Sequence, residues 1–443
     1  MDLHYFRIVS NFVAEYFSGV KIVFIPINLI EVTLNIISFT SVLHDPTMVR
    51  SSHMPMFEEL EKRFDHVNIL TPEEAAKLGP EAFKALFIAT GGVESQVKDI
   101  FDILPNPALL IADGTHNSLA ASLEISTFLR QKGFASEVIH GSIEQIADRL
   151  VHLCQLHQVR ERLAGKRVGV IGTPSDWLIA SGVSPQVARD RWGLELVEVP
   201  LERVYAHFDA ITEADVKDAS EALANRAEGC VEPNAHDIVQ AMRLAEAIRR
   251  IVREDNLSAI TLACFRLLDR TKTTGCMALS VLTDEGIMAG CEGDLQTLLT
   301  MMIVQAATGK ASFMANPSRV NPQTNEVILA HCTIGLDQTE SFILRNHFES
   351  LSGVAVQGII PEGDVTVIKI GGPAMDRFFV TDATIIENLN NHNMCRTQVR
   401  LKFDRPADYY LRNSIGNHHV IVQGHHAKAL ADLLTAAGCH RVE

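Results

Sequence analysis

Between residue 21 and about residue 165, short apolar runs alternate with stretches of helical periodicity, and this alternation restricts the fold more than any other feature of the chain. Residues 21–26, 85–90, 108–113 and 135–140 read as strands, while 93–103, 118–131 and 143–163 read as helices between and after them. A strand whose successor is reached through a helix returns in the same direction, so the pattern predicts a parallel sheet covered by helices. The chain restarts at Lys166-Arg-Val-Gly-Val-Ile-Gly-Thr-Pro-Ser175, followed by a long amphipathic helix over 235–253 and a strand over 259–264. Past about residue 310 the strand-like runs crowd together, at 326–332, 353–360, 364–370 and 398–403, with turns at 322–325 and 362–364. One more strand at 417–423 precedes a terminal helix over 426–437. The expected fold is α/β: two Rossmann-like α/β domains, 1–164 and 165–309, then an antiparallel β-rich, barrel-like C-terminal domain, 310–443. The first twenty residues, aromatic and apolar, read as an arm packed on a neighbouring copy.

Composition narrows the function classes. With 47% hydrophobic residues, 443 residues can fill sizeable cores, which excludes disorder as the dominant state. A formal charge of −15 argues against a nucleic-acid partner, which would require clustered Lys and Arg. No run is long and apolar enough for a membrane span or a cleaved leader, so a cytoplasmic protein without a membrane partner is expected. The eight cysteines are widely spaced, with no CxxC pair, and read as reduced core residues. Residues 166–175 carry neither a Gly-x-x-x-x-Gly-Lys-Ser/Thr cradle nor a Gly-x-Gly-x-x-Gly turn, which counts against NTPases and dehydrogenases.

Candidate chemistry sits at element ends. In Met288-Ala-Gly-Cys-Glu-Gly-Asp294, a short strand ends and a helix begins; Asp294 suits the N-cap, leaving Glu292 just outside, between Gly290 and Gly293. Ligands of open α/β sheets bind at such strand ends, although a capping role would also explain the carboxylate. Asn316 closes a short apolar run before Pro317, and His331 closes the run 326–332. In Asn417-His418-His419, strand alternation sends the two imidazoles to opposite faces, so they cannot share one role. Glu292, Asn316, His331 and one of that pair would offer oxygen and imidazole donors without thiolate, a set suited to Mn²⁺, Mg²⁺ or Co²⁺ rather than structural zinc. Trp177 could stack on a sugar face or pack between domains. His116 lies at a strand-to-helix junction, and Arg396 at a strand start can orient a ligand. No conspicuous anion cradle is present, which disfavours a phosphorylated substrate.

Taken in order, Cys291-Glu-Gly-Asp294, Phe313-Met-Ala-Asn-Pro317, Ala330-His-Cys-Thr333, Cys395-Arg-Thr397 and Asn417-His-His419 resemble the L-fucose isomerase and L-arabinose isomerase superfamily, nearest to its shorter fucose isomerase-like branch. The resemblance runs roughly from Lys21 to the end. It implies a metal-dependent intramolecular oxidoreductase that interconverts an aldose and a ketose through a cis-enediol. It also implies Mn²⁺ in the cleft between the later domains, and a homo-oligomer (trimer or hexamer) in which a neighbour's first domain helps close the site. Carried over, Glu292 becomes metal ligand and acid/base residue, and Asn316 takes the place of the second catalytic carboxylate. His419 and His331 become the histidine ligands, and Trp177, His116, Arg396 and His418 contact a monosaccharide. Asn316 departs from the family pattern, because an amide cannot take up a proton at neutral pH. The alternative expectation is therefore a catalytically weakened sugar-binding or regulatory homologue. Replacing Asn316 with Asp is expected to raise the isomerisation rate, by up to about 10²-fold. Initial rates on an aldose panel check this, and an unchanged rate would break the correspondence.

Overall fold

The computed structural model describes residues 33–79 and 81–443. The expected strand at 21–26 and the N-terminal arm lie outside the described residues. The first sheet contains β1 (Thr33–Phe39), β2 (His66–Leu70), β3 (Lys84–Ile88), β4 (Ala108–Ala112) and β5 (Ser136–His140), all parallel in the order β2-β1-β3-β4-β5. Helices cover both faces, each face with its own apolar cluster. β1 and β2 were not anticipated. The asparagines that interrupt their apolar runs are joined across the strands, with Asn68 Nδ2 donating to Asn35 Oδ1 at 3.1 Å and Asn35 Nδ2 donating to the Phe83 carbonyl at 3.1 Å.

The second sheet is also parallel. It comprises β6 (Arg167–Ile171) and β7 (Glu195–Val199), then, beyond a short β8 (Gly229–Cys230) that pairs elsewhere, β9 (Ala259–Leu262) and β10 (Met288–Cys291), in the order β10-β9-β6-β7. The helix Ala235–Glu254 begins in a capping box: the Asn234 side chain accepts from the Asp237 amide, and the Asp237 carboxylate accepts from that of Asn234.

The remaining strands are β11 (Phe313–Asn321), β12 (Glu326–His331), β13 (Ser341–Arg345), β14 (Ala355–Ile359), β15 (Gly363–Gly371), β16 (Arg377–Asn388), β17 (Thr397–Phe403), β18 (His419–Gln423) and β19 (His440–Arg441). Six of them close an antiparallel barrel, β15-β18-β11-β12-β17-β16, sealed by pairing of β16 with β15; β19 joins β16 outside the ring. β13 and β14 form a small sheet with β8. The long β16 escapes a reading of apolar runs because polar residues punctuate it. One of these, Asp382, accepts from the amides of His426 and Ala427 at the start of the terminal helix, at 3.1 and 3.0 Å. The molecule is thus mixed α/β, with parallel sheets and a closed C-terminal barrel. The division at residues 164 and 309 is kept as a proposal. It separates the three main sheets, whereas one continuous apolar core runs from the second sheet into the barrel.

The helix Leu295–Thr308 explains that continuity. Its Leu295, Leu298, Leu299, Met302, Ile303 and Ala306 stripe was legible, but Gln296, Thr297, Thr300, Met301 and Val304 are buried as well. A helix buried all round belongs between two layers rather than on a surface. Here those layers are β10 and the barrel strands β15 and β18. Asp294 caps its start and Gly309, at φ 70°, ends it. Among the described residues no helix is long and apolar enough to cross a membrane. Leu299 is fully buried, so Leu299→Ala is expected to lower the unfolding free energy by about 3 kcal/mol through lost transfer energy and the cavity left behind. A denaturant midpoint shifted by far less would show that the helix is not held between the layers as described.

Candidate functional site

β10 ends at Cys291, and the chain then takes two left-handed residues, Glu292 at φ 61° and Gly293 at φ 80°, before Asp294 caps the helix. A side chain at position 293 is excluded, because a Cβ there would lie 2.5 Å from Pro174 Cα. The loop after β6 therefore packs directly on this turn, and the Ser175 amide donates to the Glu292 carbonyl at 2.9 Å. The same loop brings Trp177, whose Nε1–H donates to Glu292 Oε2 at 2.9 Å.

Glu292 opens on a cavity of about 640 Å³. One wall comes from the C-terminal ends of the second sheet, through Trp177, Cys264, Phe265, Cys291 and Glu292. The other comes from barrel strand β11 (Asn316, Ser318), the end of β12 (His331, Cys332), the turn after β13 (His347–Glu349), residues 393–395 and Asn417. Residues far apart in sequence thus meet at the seam between sheet and barrel. Of the expected site residues, Glu292, Asn316, His331 and Trp177 share this cavity.

The histidine pair is resolved by strand parity, with a correction. His419 does not reach the cavity. It points into an aromatic cluster of Phe379, Tyr409 and Tyr410, where its Nδ1–H donates to the Asn417 carbonyl at 2.9 Å and its Nε2 accepts from the Tyr409 hydroxyl at 3.1 Å. Burial pushes its pKa down to about 3. His418 faces the other way, its ring 5.3 Å from that of His331. Its Nδ1–H donates to Asp294 Oδ2 at 2.9 Å, and its Nε2 is buried without a partner among the described residues.

Two further expected contacts fall elsewhere. Arg396 is buried and braces the turn that carries His347, donating to the Asn346 carbonyl at 2.8 Å and to Asn346 Oδ1 at 2.5 Å rather than lining the cavity. His116 lies beyond β4 at the C-terminal edge of the first sheet, among His44 and His53, and does not line this chain's cavity.

Sequence reasoning missed Lys369, which is fully buried with Nζ 3.7 Å from Asp294 Oδ2. A lysine inside an apolar run was its only mark. Burial alone would raise the Asp294 carboxyl, but the Lys369 charge and the His418 hydrogen bond hold it well below the usual carboxylate range. Burial pulls Lys369 down, against the pull of Asp294. His347 was also missed, and five cavity cysteines (264, 276, 291, 332, 395) read from the sequence only as reduced core residues. All eight cysteines are free, and hydrogen bonding with the neighbouring thiols of Cys332 and Cys264, reinforced by burial, holds Cys276 and Cys291 respectively well above the usual thiol range.

A metal centre needs donors that converge. Among the described residues no group of three or more His, Cys, Asp or Glu side chains is gathered to hold an ion. Of the expected set His419 is turned away, whereas His331, with Nδ1 bonded to Thr333 Oγ1 at 2.8 Å, keeps its Nε2 for another partner. The unpartnered His418 Nε2, on a ring 5.3 Å from that of His331, favours such a centre.

No protein-family model matches the chain. It is similar to sugar isomerases. A sulfoquinovose isomerase of Alkalicoccus urumqiensis is 25% identical over 269 residues, 58% of this chain and 59% of that protein. One from Priestia aryabhattai is 20% identical over 57% of this chain and 58% of its own length. One from Clostridium sp. (strain MSTE9) is 21% identical over 49% of each. The matches thus span less than two thirds of these relatives.

Burial also pushes His347 down to about 4, helped by the nearby Arg396 charge. The sign of the pH effect follows. Above pH 6.5 the folded and unfolded forms of His347 and His419 are both neutral. Between 6.5 and the folded values of about 4 and about 3, only the unfolded chain takes up protons. Stability should therefore fall as pH drops through this window, by about 1.4 kcal/mol per pH unit for each histidine. Thermal unfolding from pH 8 to pH 4 checks this, and His347→Gln should reduce the slope by about one proton. An unchanged slope would place His347 outside the buried wall.

Proposed function

We propose that this chain is an aldose–ketose isomerase acting on a monosaccharide through a cis-enediol. The observation that carries the reading is Glu292, a carboxylate set at the end of β10 by left-handed backbone, oriented by Trp177, and opening on a cavity shared with Asn316 and His331. Similarity to sugar isomerases supports it.

Moving a carbonyl between C1 and C2 requires removal of a proton from one carbon and its return to the adjacent one. Oε2 of Glu292 accepts the Trp177 N–H, so Oε1 serves as the proton carrier. Asn316 donates an amide N–H to a sugar oxygen and accepts from a hydroxyl. His331 is kept neutral, since burial and its histidine neighbours hold it well below its ordinary value, and it meets hydroxyl groups as a hydrogen-bonding partner. Trp177 and Phe265 provide an apolar face for the sugar ring.

A divalent cation, Mn²⁺ ahead of Mg²⁺ or Co²⁺, stays within the proposal on the sequence pattern alone. When bound, such an ion polarises carbonyl and enediol oxygens. The steps above do not run through it. We also propose a cytoplasmic homo-oligomer, trimer or hexamer, in which the edge of the first sheet bearing His116 closes a neighbouring copy's cavity. Asn316 favours a second reading, a sugar-binding homologue with weakened catalysis.

Incubating the protein with an aldose panel in D₂O, with and without Mn²⁺ after chelator treatment, separates these readings. Isomerisation places solvent deuterium at C2 of recovered aldose or C1 of ketose, and Glu292→Gln should cut that exchange at least about 10²-fold with folding intact. Binding without exchange would favour the second reading, and exchange indifferent to Glu292→Gln would sink the first. Exchange independent of metal would remove the cation from the proposal.

A further inference from the structure

We propose that Cys264 and Cys291 form a redox-active dithiol, closed reversibly to a disulfide by peroxide, and that closure displaces Glu292. Its consequence for turnover rests on the reading of Glu292 as the proton carrier. Cys264 follows β9 and Cys291 ends β10, neighbouring parallel strands of the second sheet. Their sulfurs lie 3.1 Å apart. The Cys264 thiol donates to the Leu262 carbonyl at 3.3 Å, which leaves its sulfur to accept from the Cys291 thiol. Both side chains line the cavity, so an oxidant smaller than a sugar reaches them. A buried thiol also serves as a small apolar core residue. Cys154 does so in the first sheet's cluster, whereas this pair meets sulfur to sulfur at a cavity wall. Cys276, Cys332 and Cys395 form a separate cluster with Ala355.

The chemistry balances with hydrogen peroxide as the oxidant. One sulfur, as thiolate, attacks a peroxide oxygen; the O–O bond breaks, and the departing hydroxide takes up the thiol proton as water. The sulfenic acid left behind is attacked by the second sulfur, the S–S bond forms, and the sulfenic oxygen leaves as a second water. Two electrons pass from the sulfurs to the peroxide. An external thiol reverses the step by exchange.

Closure brings the sulfurs from 3.1 Å to about 2 Å. Cys291 precedes Glu292 directly, in a turn without slack. A Cβ at Gly293 would lie 2.5 Å from Pro174 Cα, the Ser175 amide holds the Glu292 carbonyl at 2.9 Å, and the Asp294 amide holds that of Cys291 at 3.1 Å. A shift of Cys291 therefore moves Glu292 against Trp177, whose N–H orients its carboxylate. Misplacing a reacting group by about 1 Å can cost about 10²-fold in rate. Disulfides that form in a reducing compartment are typically transient and redox-sensing, which suits a pair that turns this site off under peroxide and on again with thiols.

The test exposes the whole protein to graded hydrogen peroxide, blocks the remaining thiols by alkylation, and maps crosslinked peptides by mass spectrometry without reductant. A disulfide between Cys264 and Cys291 is expected, lighter by the two thiol hydrogens and reversed by dithiothreitol. Trp177 fluorescence reads the turn without substrate, since Trp177 is 58% exposed at the cavity and the other tryptophan, Trp192, is 1% exposed in the core. Trp177→Phe serves as the blank. Emission should change in step with the crosslink and return on reduction. Deuterium exchange on the aldose panel should fall at least about 10-fold on oxidation and recover with dithiothreitol. Cys264→Ala should form no such crosslink and keep its own rate under peroxide; an equal loss in that variant overturns the proposal. Absence of the crosslink does the same, whether the sulfurs go on to sulfinic acids or disulfides form among Cys276, Cys332 and Cys395 instead. So does a crosslink that leaves the Trp177 emission, or the exchange rate of an active protein, unchanged. If no aldose exchanges even in the reduced protein, the isomerase reading falls, while a reversible crosslink with its Trp177 change still upholds the dithiol.

Discussion

The buried carboxylate of Asp294 is the constraint on which the rest of the structure depends. Four donors converge on it: the Thr297 amide at 2.8 Å, the Thr297 hydroxyl at 2.7 Å, His418 Nδ1 at 2.9 Å and, more loosely, Lys369 Nζ at 3.7 Å. These come from the helix that follows β10, from barrel strand β15 and from the residue just before β18. A single side chain therefore fixes the helix start, the seat of the barrel and the tautomer of a histidine. Removing one member of such a buried set typically costs about 3–5 kcal/mol, since the remaining charge is left without compensation. The network thus ties the start of the helix to the barrel, and it sits two residues beyond Glu292.

That arrangement explains the location of the cavity. The helix Leu295–Thr308 is buried on all sides, so the second sheet and the barrel cannot slide past one another without breaking its contacts. Where the helix begins, the layers diverge. The loops at the C-terminal ends of β6, β9 and β10 face the ends of barrel strands across the gap, and the 640 Å³ cavity occupies it. Glu292 is displayed there because the chain must reverse between strand and helix. Its positive φ and that of Gly293 are the local cost of the reversal, borne where Pro174 leaves no room for a Cβ.

The sequence disclosed polar residues at the ends of apolar runs, although the strand expected to stop at Asn316 continues to Asn321, and concealed those whose role depends on distant pairing. Glu292, Asn316, His331 and Trp177 were legible because each breaks an apolar run or opens a junction, and all four line one cavity. Alternation showed that His418 and His419 must diverge. Which one faces inward depends on β18 pairing with β11, Ala315 opposite His419, and on what fills each side of the barrel. Neither is a local property. Lys369 was hidden for a related reason: a lysine in a strand reads as solvent-facing until a buried partner is known. In β1, β2 and β16 polar residues inside strands disguised the elements. Their hydrogen-bonding partners lie on other strands or on the terminal helix, beyond the reach of any window of periodicity.

The asparagine at position 316 then takes on a different meaning. Proton movement across a cis-enediol needs one base that reaches two adjacent carbons on the same face, and a single carboxylate can do both when one oxygen is anchored and the other is free. Trp177 anchors Oε2 of Glu292 in that manner. An acid at 316 would add a third carboxylate to a wall that already carries Glu292 and Glu349 among amides, hydroxyls, thiols, aromatic rings and imidazoles. On the proposed reading, an amide at 316 can still donate to and accept from sugar hydroxyls, and Glu292 is the proton carrier.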